Sequence, residues 1–247
     1  MDKVSLYDTL TLTPVDSGLN FHSTGVDIPD DSKGNLVLRA AQLFSRRSGI
    51  ELNIDIRLEK NIPVGAGLGG GSSDAASTLF ALNQLYPSFG LEPLTGMAAE
   101  LGSDIPFFLY PGAAVCTGRG EIITPVPSRK HYYVIAVPMV SVSTSRVYKS
   151  LKFPLTNPDF NGKNVFNSLE KEIAPYLFNN MEQTVLSLFP EMNSFWREMQ
   201  KRVEGKIHMS GSGSAVFLYF SNRKEADAAG ERLRAMNNCR VFVVESV

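Results

Sequence analysis

A chain of 247 residues has room for one large domain or two small ones, and either can bury a sizeable core. Basic and acidic residues number 24 and 25, a net charge of −1, so there is no basic excess to attract nucleic acid. Cys116 and Cys239 stand too far apart in sequence to suggest a disulfide framework, and no apolar run reads as a signal peptide or a membrane span, which together point to a cytoplasmic protein.

Residues 6–13 are rich in β-formers and predict a strand. Loops follow over 14–34, around a short strand near Asn20. Asn35 is an N-cap candidate. Leu36, Val37, Ala40, Leu43 and Phe44 then recur at helical spacing, and Gly49 closes the helix. Over 51–60 the alternation is complete, with Leu52, Ile54, Ile56 and Leu58 facing one way, as in a half-buried strand. A glycine-rich segment intervenes before a helix over 73–86, whose buried face carries Ala75, Ala76, Leu79, Leu82 and Tyr86. A shorter helix is predicted over 93–101, a hairpin over 113–117 and 121–126, and a strand over 131–138.

Composition then shifts. Ser, Thr, Arg and Lys fill 141–151, and Pro, Asn and Asp fill 154–164, which places a domain boundary near 140 (domains 1–140 and 141–247). Helices are expected at 165–178, 180–188, 191–204 and 223–236. Strands are expected at 206–209, 215–220 and 239–245. The C-terminal part therefore reads as α+β with an antiparallel sheet. His22, His131 and His208 are scattered, without metal-ligand spacing, and read as surface or core histidines.

The segment that organises the rest is Pro63-Val64-Gly65-Ala66-Gly67-Leu68-Gly69-Gly70-Gly71-Ser72-Ser73-Asp74-Ala75-Ala76. Five of the seven residues from 65 to 71 are glycine. Glycine permits positive φ and close approach of a ligand to the main chain. A helix behind such a loop points its free N–H groups and positive dipole end into it, which makes an anion site. The fit to G-x-G-x-x-G is loose, and Glu92, at the distance of the Rossmann acid, lies in a turn. The P-loop pattern fails, because Gly71 stands where it requires lysine. Neutralising charge would then come from elsewhere, such as a metal ion. The other reading is a flexible linker, against which Ser72 and Ser73 are placed to cap a helix.

A second turn, Ser210-Gly211-Ser212-Gly213-Ser214, reads either as the other wall of a nucleotide site or as an ordinary turn between strands. Asp104, followed by Ile105, Pro106, Phe107 and Phe108, reads either as a carboxylate that accepts a proton from an attacking hydroxyl in an apolar surround, or as a turn cap.

The 63–76 segment resembles the second motif of the GHMP kinases (galacto-, homoserine, mevalonate and phosphomevalonate kinases). Asn35-Leu36-Val37-Leu38-Arg39-Ala40-Ala41, Leu101-Gly102-Ser103-Asp104-Ile105-Pro106-Phe107-Phe108 and Ser210-Gly211-Ser212-Gly213-Ser214-Ala215-Val216-Phe217 resemble one branch of that family, in the same order. That branch phosphorylates a diphosphocytidyl methylerythritol in isoprenoid precursor synthesis by the non-mevalonate route. The resemblance implies a two-domain fold, ribosomal protein S5 domain 2-like then ferredoxin-like. It also implies ATP with Mg²⁺ as donor, a cytidyl diphosphate whose C2 hydroxyl is the acceptor, and a monomer or weak homodimer. Residues 63–73 would cradle the ATP phosphates, Asn35 and Leu36 would shape the adenine pocket, and Asp104 matches the catalytic aspartate. Thr144 and Tyr148 fall in the segment that bears a ring stacking on cytosine, although Tyr148 also reads as a core aromatic.

One departure stands out. The family opens with a strand carrying Lys-x-Asn-x-x-Leu, whose lysine works with the aspartate, and then an Asp-Gly-Tyr-His turn. Here Met1-Asp2-Lys3-Val4-Ser5-Leu6-Tyr7 resembles a point after both, and Lys3 does not match that lysine. The expectation is a shortened chain with reduced turnover and stability. The alternatives are a nucleotide-binding protein of this fold impaired in catalysis, or another small-molecule kinase of the family.

Overall fold

A computed structural model describes residues 1–28, 34–127, 129–151 and 177–247. The expected segment 154–164, and all but the last two residues of the helix expected over 165–178, lie outside the described residues. The chain divides into two compact units. One comprises Met1, Leu6–Val64 and Gly69–Pro125; the other comprises Asp2–Ser5, Gly65–Leu68 and Val126–Val247.

The first unit is built on a three-stranded sheet of order β1-β3-β2, with β1 Thr9–Pro14, β2 Leu19–Gly25 and β3 Ile54–Lys60. β1 runs antiparallel to β3, and β2 runs parallel to it. A parallel pair needs a crossover, and helix α1 (Leu36–Ser48) supplies it. The alternation expected in β3 is present: Ile54, Ile56 and Leu58 are buried against α1, α2 (Gly70–Leu85) and α3 (Leu91–Leu101). A 3-10 turn, Pro106–Leu109, and the hairpin β4 (Ala114–Thr117) and β5 (Ile122–Pro125) complete the unit.

The second unit carries a four-stranded sheet of order β7-β8-β6-β9, antiparallel throughout. Its strands are β6 Tyr132–Pro138, β7 His208–Met209, β8 Val216–Phe220 and β9 Cys239–Glu245. Helices α4 (Thr144–Ser150), α5 (Glu182–Leu188), α6 (Pro190–Gln200) and α7 (Arg223–Arg234) accompany it. Val134, Ala136, Val216 and Leu218 of the sheet form one core with Met192, Phe195 and Met199 of α6 and Ala226, Ala229 and Leu233 of α7. Because β6 pairs with β8 and β9, the division falls at Pro125, ahead of the expected position near 140. His22 is exposed and His131 and His208 are buried, and both cysteines are half-buried.

Candidate active site

Helix α2 begins at Gly70, three residues ahead of its expected start. Ser72 and Ser73 therefore lie inside the helix rather than capping it, and the Ser73 hydroxyl donates back to the Gly70 carbonyl at 2.7 Å. The N-cap is Gly69, in the left-handed region, and it offers no side-chain acceptor. The first intrahelical bond is Ser73 N–H to Gly69 O. Among the described residues, the N–H groups of Gly70, Gly71 and Ser72 are thus the open donors of the first turn. Together with the helix dipole they suit an anion. Helix α1 is closed instead: the Asn35 carboxamide oxygen accepts from Val37 N at 2.9 Å and Leu38 N at 3.3 Å.

Residues Gly65–Leu68 belong to the second unit. There the carbonyl of Ala66 accepts from Ala215 N at 2.9 Å, and that of Gly67 accepts from the Ser210 hydroxyl at 2.8 Å. Gly67 has φ +76, and a Cβ there would lie 2.4 Å from Ser210 O. Only glycine meets both demands. The second turn is itself anchored, with Asn179 Nδ2 donating to Met209 O at 2.9 Å and Gly211 O at 2.7 Å. Its Ser212 hydroxyl lies 2.8 Å from that of Thr144, at the start of α4. So Gly211, Ser212, Gly213 and Thr144 gather with 65–68. Tyr148, one turn along α4, is 49 % exposed, which removes the core-aromatic reading.

Asp104 lies in the turn between α3 and the 3-10 segment and is exposed. The apolar residues expected to restrict water around it turn inward instead: Ile105, Pro106 and Phe107 are buried. Its Oδ1 accepts from the Ser103 hydroxyl at 3.3 Å. The same segment reaches the start of α2, because Phe108 packs on Gly69 so closely that a Cβ there would lie 2.8 Å from the ring. Leu36 approaches the position a Cβ on Gly71 would take, at 3.5 Å. The first unit therefore brings Leu36, Gly69, Gly71 and the Asp104 segment together. Pro63 and Gly70 are buried, and Val64, Gly65 and Gly71 are exposed.

Sequence reasoning missed a buried charge cluster in this unit. Lys60, the last residue of β3, is 3 % exposed and pairs with both Asp8 and Asp74. The contact with Asp74 Oδ2 is 2.6 Å. Asp8 Oδ1 also accepts from the N–H groups of Asn61, at 2.6 Å, and Ile62, at 2.8 Å. Burial pushes the Asp74 carboxyl up to about 6, although Lys60 pulls it down; Asp8 adds to the rise. The signal was present in the alternation. The period that turns Ile54, Ile56 and Leu58 inward turns Lys60 inward too, and a buried lysine calls for a carboxylate partner.

The chain belongs to the GHMP kinases: the family's N terminal domain matches residues 35–112 and its C terminal domain residues 163–239. Among solved structures, a homoserine kinase from Cytophaga hutchinsonii shares the fold at 21% identity, with a TM-score of 0.78, over 100% of this chain and 88% of that one. Within the superfamily, the chain is a member of the 4-diphosphocytidyl-2-C-methyl-D-erythritol kinase family. It is 36% identical to that kinase of Syntrophotalea carbinolica, over 100% of this chain and 89% of the relative. It is 39% identical to that of Methylacidiphilum infernorum, over 90% of this chain and 76% of the relative. A crystal structure of 4-(cytidine 5'-diphospho)-2C-methyl-D-erythritol kinase, 36% identical, matches with a TM-score of 0.82, over 98% of this chain and 87% of that one. No described helix is long and apolar enough to cross a membrane.

Proposed function

We propose that the chain transfers the γ-phosphoryl group of ATP to the C2 hydroxyl of 4-diphosphocytidyl-2-C-methyl-D-erythritol. The observation that carries the reading, beside the family, is the uncapped start of α2, whose N–H groups at Gly70, Gly71 and Ser72 suit the polyphosphate. Residues 63–73 cradle the phosphates, and Leu36, beside Gly71, borders the adenine with Asn35. The acceptor oxygen attacks the γ-phosphorus, the bond to the β-bridging oxygen breaks, and ADP leaves. The hydroxyl proton passes to Asp104. An exposed carboxylate in a turn is open to a substrate alcohol, which supports this role. Tyr148 offers an exposed ring for the cytosine, with Thr144 at the head of the same helix.

ATP enters as its Mg²⁺ complex. Mg²⁺ commonly keeps several waters and binds through substrate phosphates, so the ion is carried by the nucleotide as part of the substrate. The test is ADP release with the purified chain, ATP-Mg²⁺ and the cytidyl alcohol, with ³¹P NMR locating the new phosphomonoester. Release that depends on the cytidyl alcohol, with phosphate on C2, is expected. Release only with homoserine or mevalonate, or none with any alcohol, contradicts the assignment.

A further inference from the structure

The Asp8–Lys60–Asp74 cluster lies directly under the anion site. Gly70, the first residue of α2, is packed so tightly on Lys60 that a Cβ there would lie 2.9 Å from Nζ. Asp74 sits one turn further along the same helix, and its carboxylate returns to that ammonium. Asp8 holds the ammonium from the other side and also ties down Asn61 and Ile62, the first two residues after β3. One cluster thus fixes both the exit of β3 and the first turn of α2.

We propose that Asp8, Lys60 and Asp74 form a positioning cluster for the start of α2, and that Asp74 takes up a proton when a polyphosphate settles there. Charge parity favours this proton. Two carboxylates share one ammonium, so the ionised cluster carries one net negative charge beneath a site that must accept an anion. A protonated Asp74 makes the cluster neutral. The carboxyl can still accept from Lys60 through its carbonyl oxygen, so the geometry survives the change. A nearby anion favours the neutral form of a carboxyl, and by linkage the neutral form favours the anion. The charged groups that act on Asp74 are Lys60 from β3 and Asp8 from the segment before β1. The helices packed on α2 contribute apolar residues to the surrounding core, among them Val37, Ala41 and Leu94. With its carboxyl already lifted to about 6, Asp74 is ionised but close to protonation at neutral pH.

This inference rests on the phosphate-loop reading above, and the test separates the two. Binding of a non-hydrolysable ATP analogue with Mg²⁺ is followed by titration calorimetry at neutral pH, in buffers of different ionisation enthalpy, for the wild type and Asp74→Asn. The wild type is expected to take up more protons per nucleotide bound than Asp74→Asn, which corrects for titration of the nucleotide itself. Infrared difference spectra of the wild type alone are expected to gain a protonated-carboxyl band on binding, so the result does not hang on the variant folding. Tight binding with equal proton uptake in both proteins, or with no new carboxyl band in the wild type, overturns the inference and leaves the phosphate-loop reading standing. No nucleotide binding by the wild type overturns both.

Discussion

Helices α1 and α2 pack on each other in the first unit but finish their first turns in opposite ways. Asn35 closes α1 with its own side chain, using two N–H groups that would otherwise point outward. Gly69 leaves α2 open. A side-chain cap contributes about 1 kcal/mol, and α2 forgoes it. The first turn is held from beneath instead, by the buried ammonium and its two carboxylates, which fix its position without covering its outer donors. On the reading proposed above, α2 leaves its first-turn N–H groups to the polyphosphate, whereas α1 commits two of its own to the Asn35 cap.

The comparison can be broken at either helix. The largest expected effect is on turnover: Asp104→Asn should lower kcat by ~10²–10⁴-fold, the range for loss of a general base, with the Kd for ATP nearly unchanged. Equal loss of ATP affinity would place Asp104 in the open donor site instead of on the acceptor. Next is Lys60→Met, which strands two carboxylates in the interior. It should cost about 3–5 kcal/mol in chemical denaturation, and a variant as stable as wild type would remove the cluster as the support of α2. Gly67→Ala should cost about 2–4 kcal/mol, because it adds a methyl against Ser210 O at a positive φ.

A gentler test uses pH. The Asp74 carboxyl is raised from 3.8 to about 6 in the folded chain, so the folded state holds its proton where the unfolded state has lost it. The stability linked to that proton is complete below 3.8 and is lost as pH rises through about 6, with a slope of at most about 1.4 kcal/mol per pH unit. Asp74→Asn should flatten that slope in denaturation curves across the window. The smallest effect is at α1: Asn35→Ala should lose about 1 kcal/mol, and Asn35→Asp should keep it, since both caps rank together. No loss in the alanine variant would show that α1 gains nothing from being closed.

Much of this was legible in the chain. The period-2 run ending at Lys60 is β3, the Asn35 and Gly49 punctuation bounds α1, and the glycine motif stands before a helix. The misplacements share a cause. Ser72 and Ser73 look like caps because their chemistry is that of caps, but Gly69 can adopt the left-handed conformation that lets the helix start earlier. The apolar run after Asp104 looks like a surround for the carboxylate, yet a turn sends its neighbours one way and the acid the other. The shift in composition points to a boundary near 140, whereas β6 joins the later sheet through pairings with residues about eighty and a hundred positions on, which local pattern does not encode. The link from Ala66 and Gly67 to the 210–215 turn is equally non-local; its acceptors are main-chain carbonyls that every residue type carries, and its donors are the Ala215 N–H and the Ser210 hydroxyl.

The central claim is that α2 keeps its first donors open for a polyphosphate. A crystal structure of the chain soaked with a non-hydrolysable ATP analogue and Mg²⁺ tests it most directly. The account predicts phosphate oxygens within hydrogen-bond reach of the N–H groups of Gly70, Gly71 and Ser72. A nucleotide bound with its phosphates elsewhere, and those three N–H groups facing only water, would contradict it.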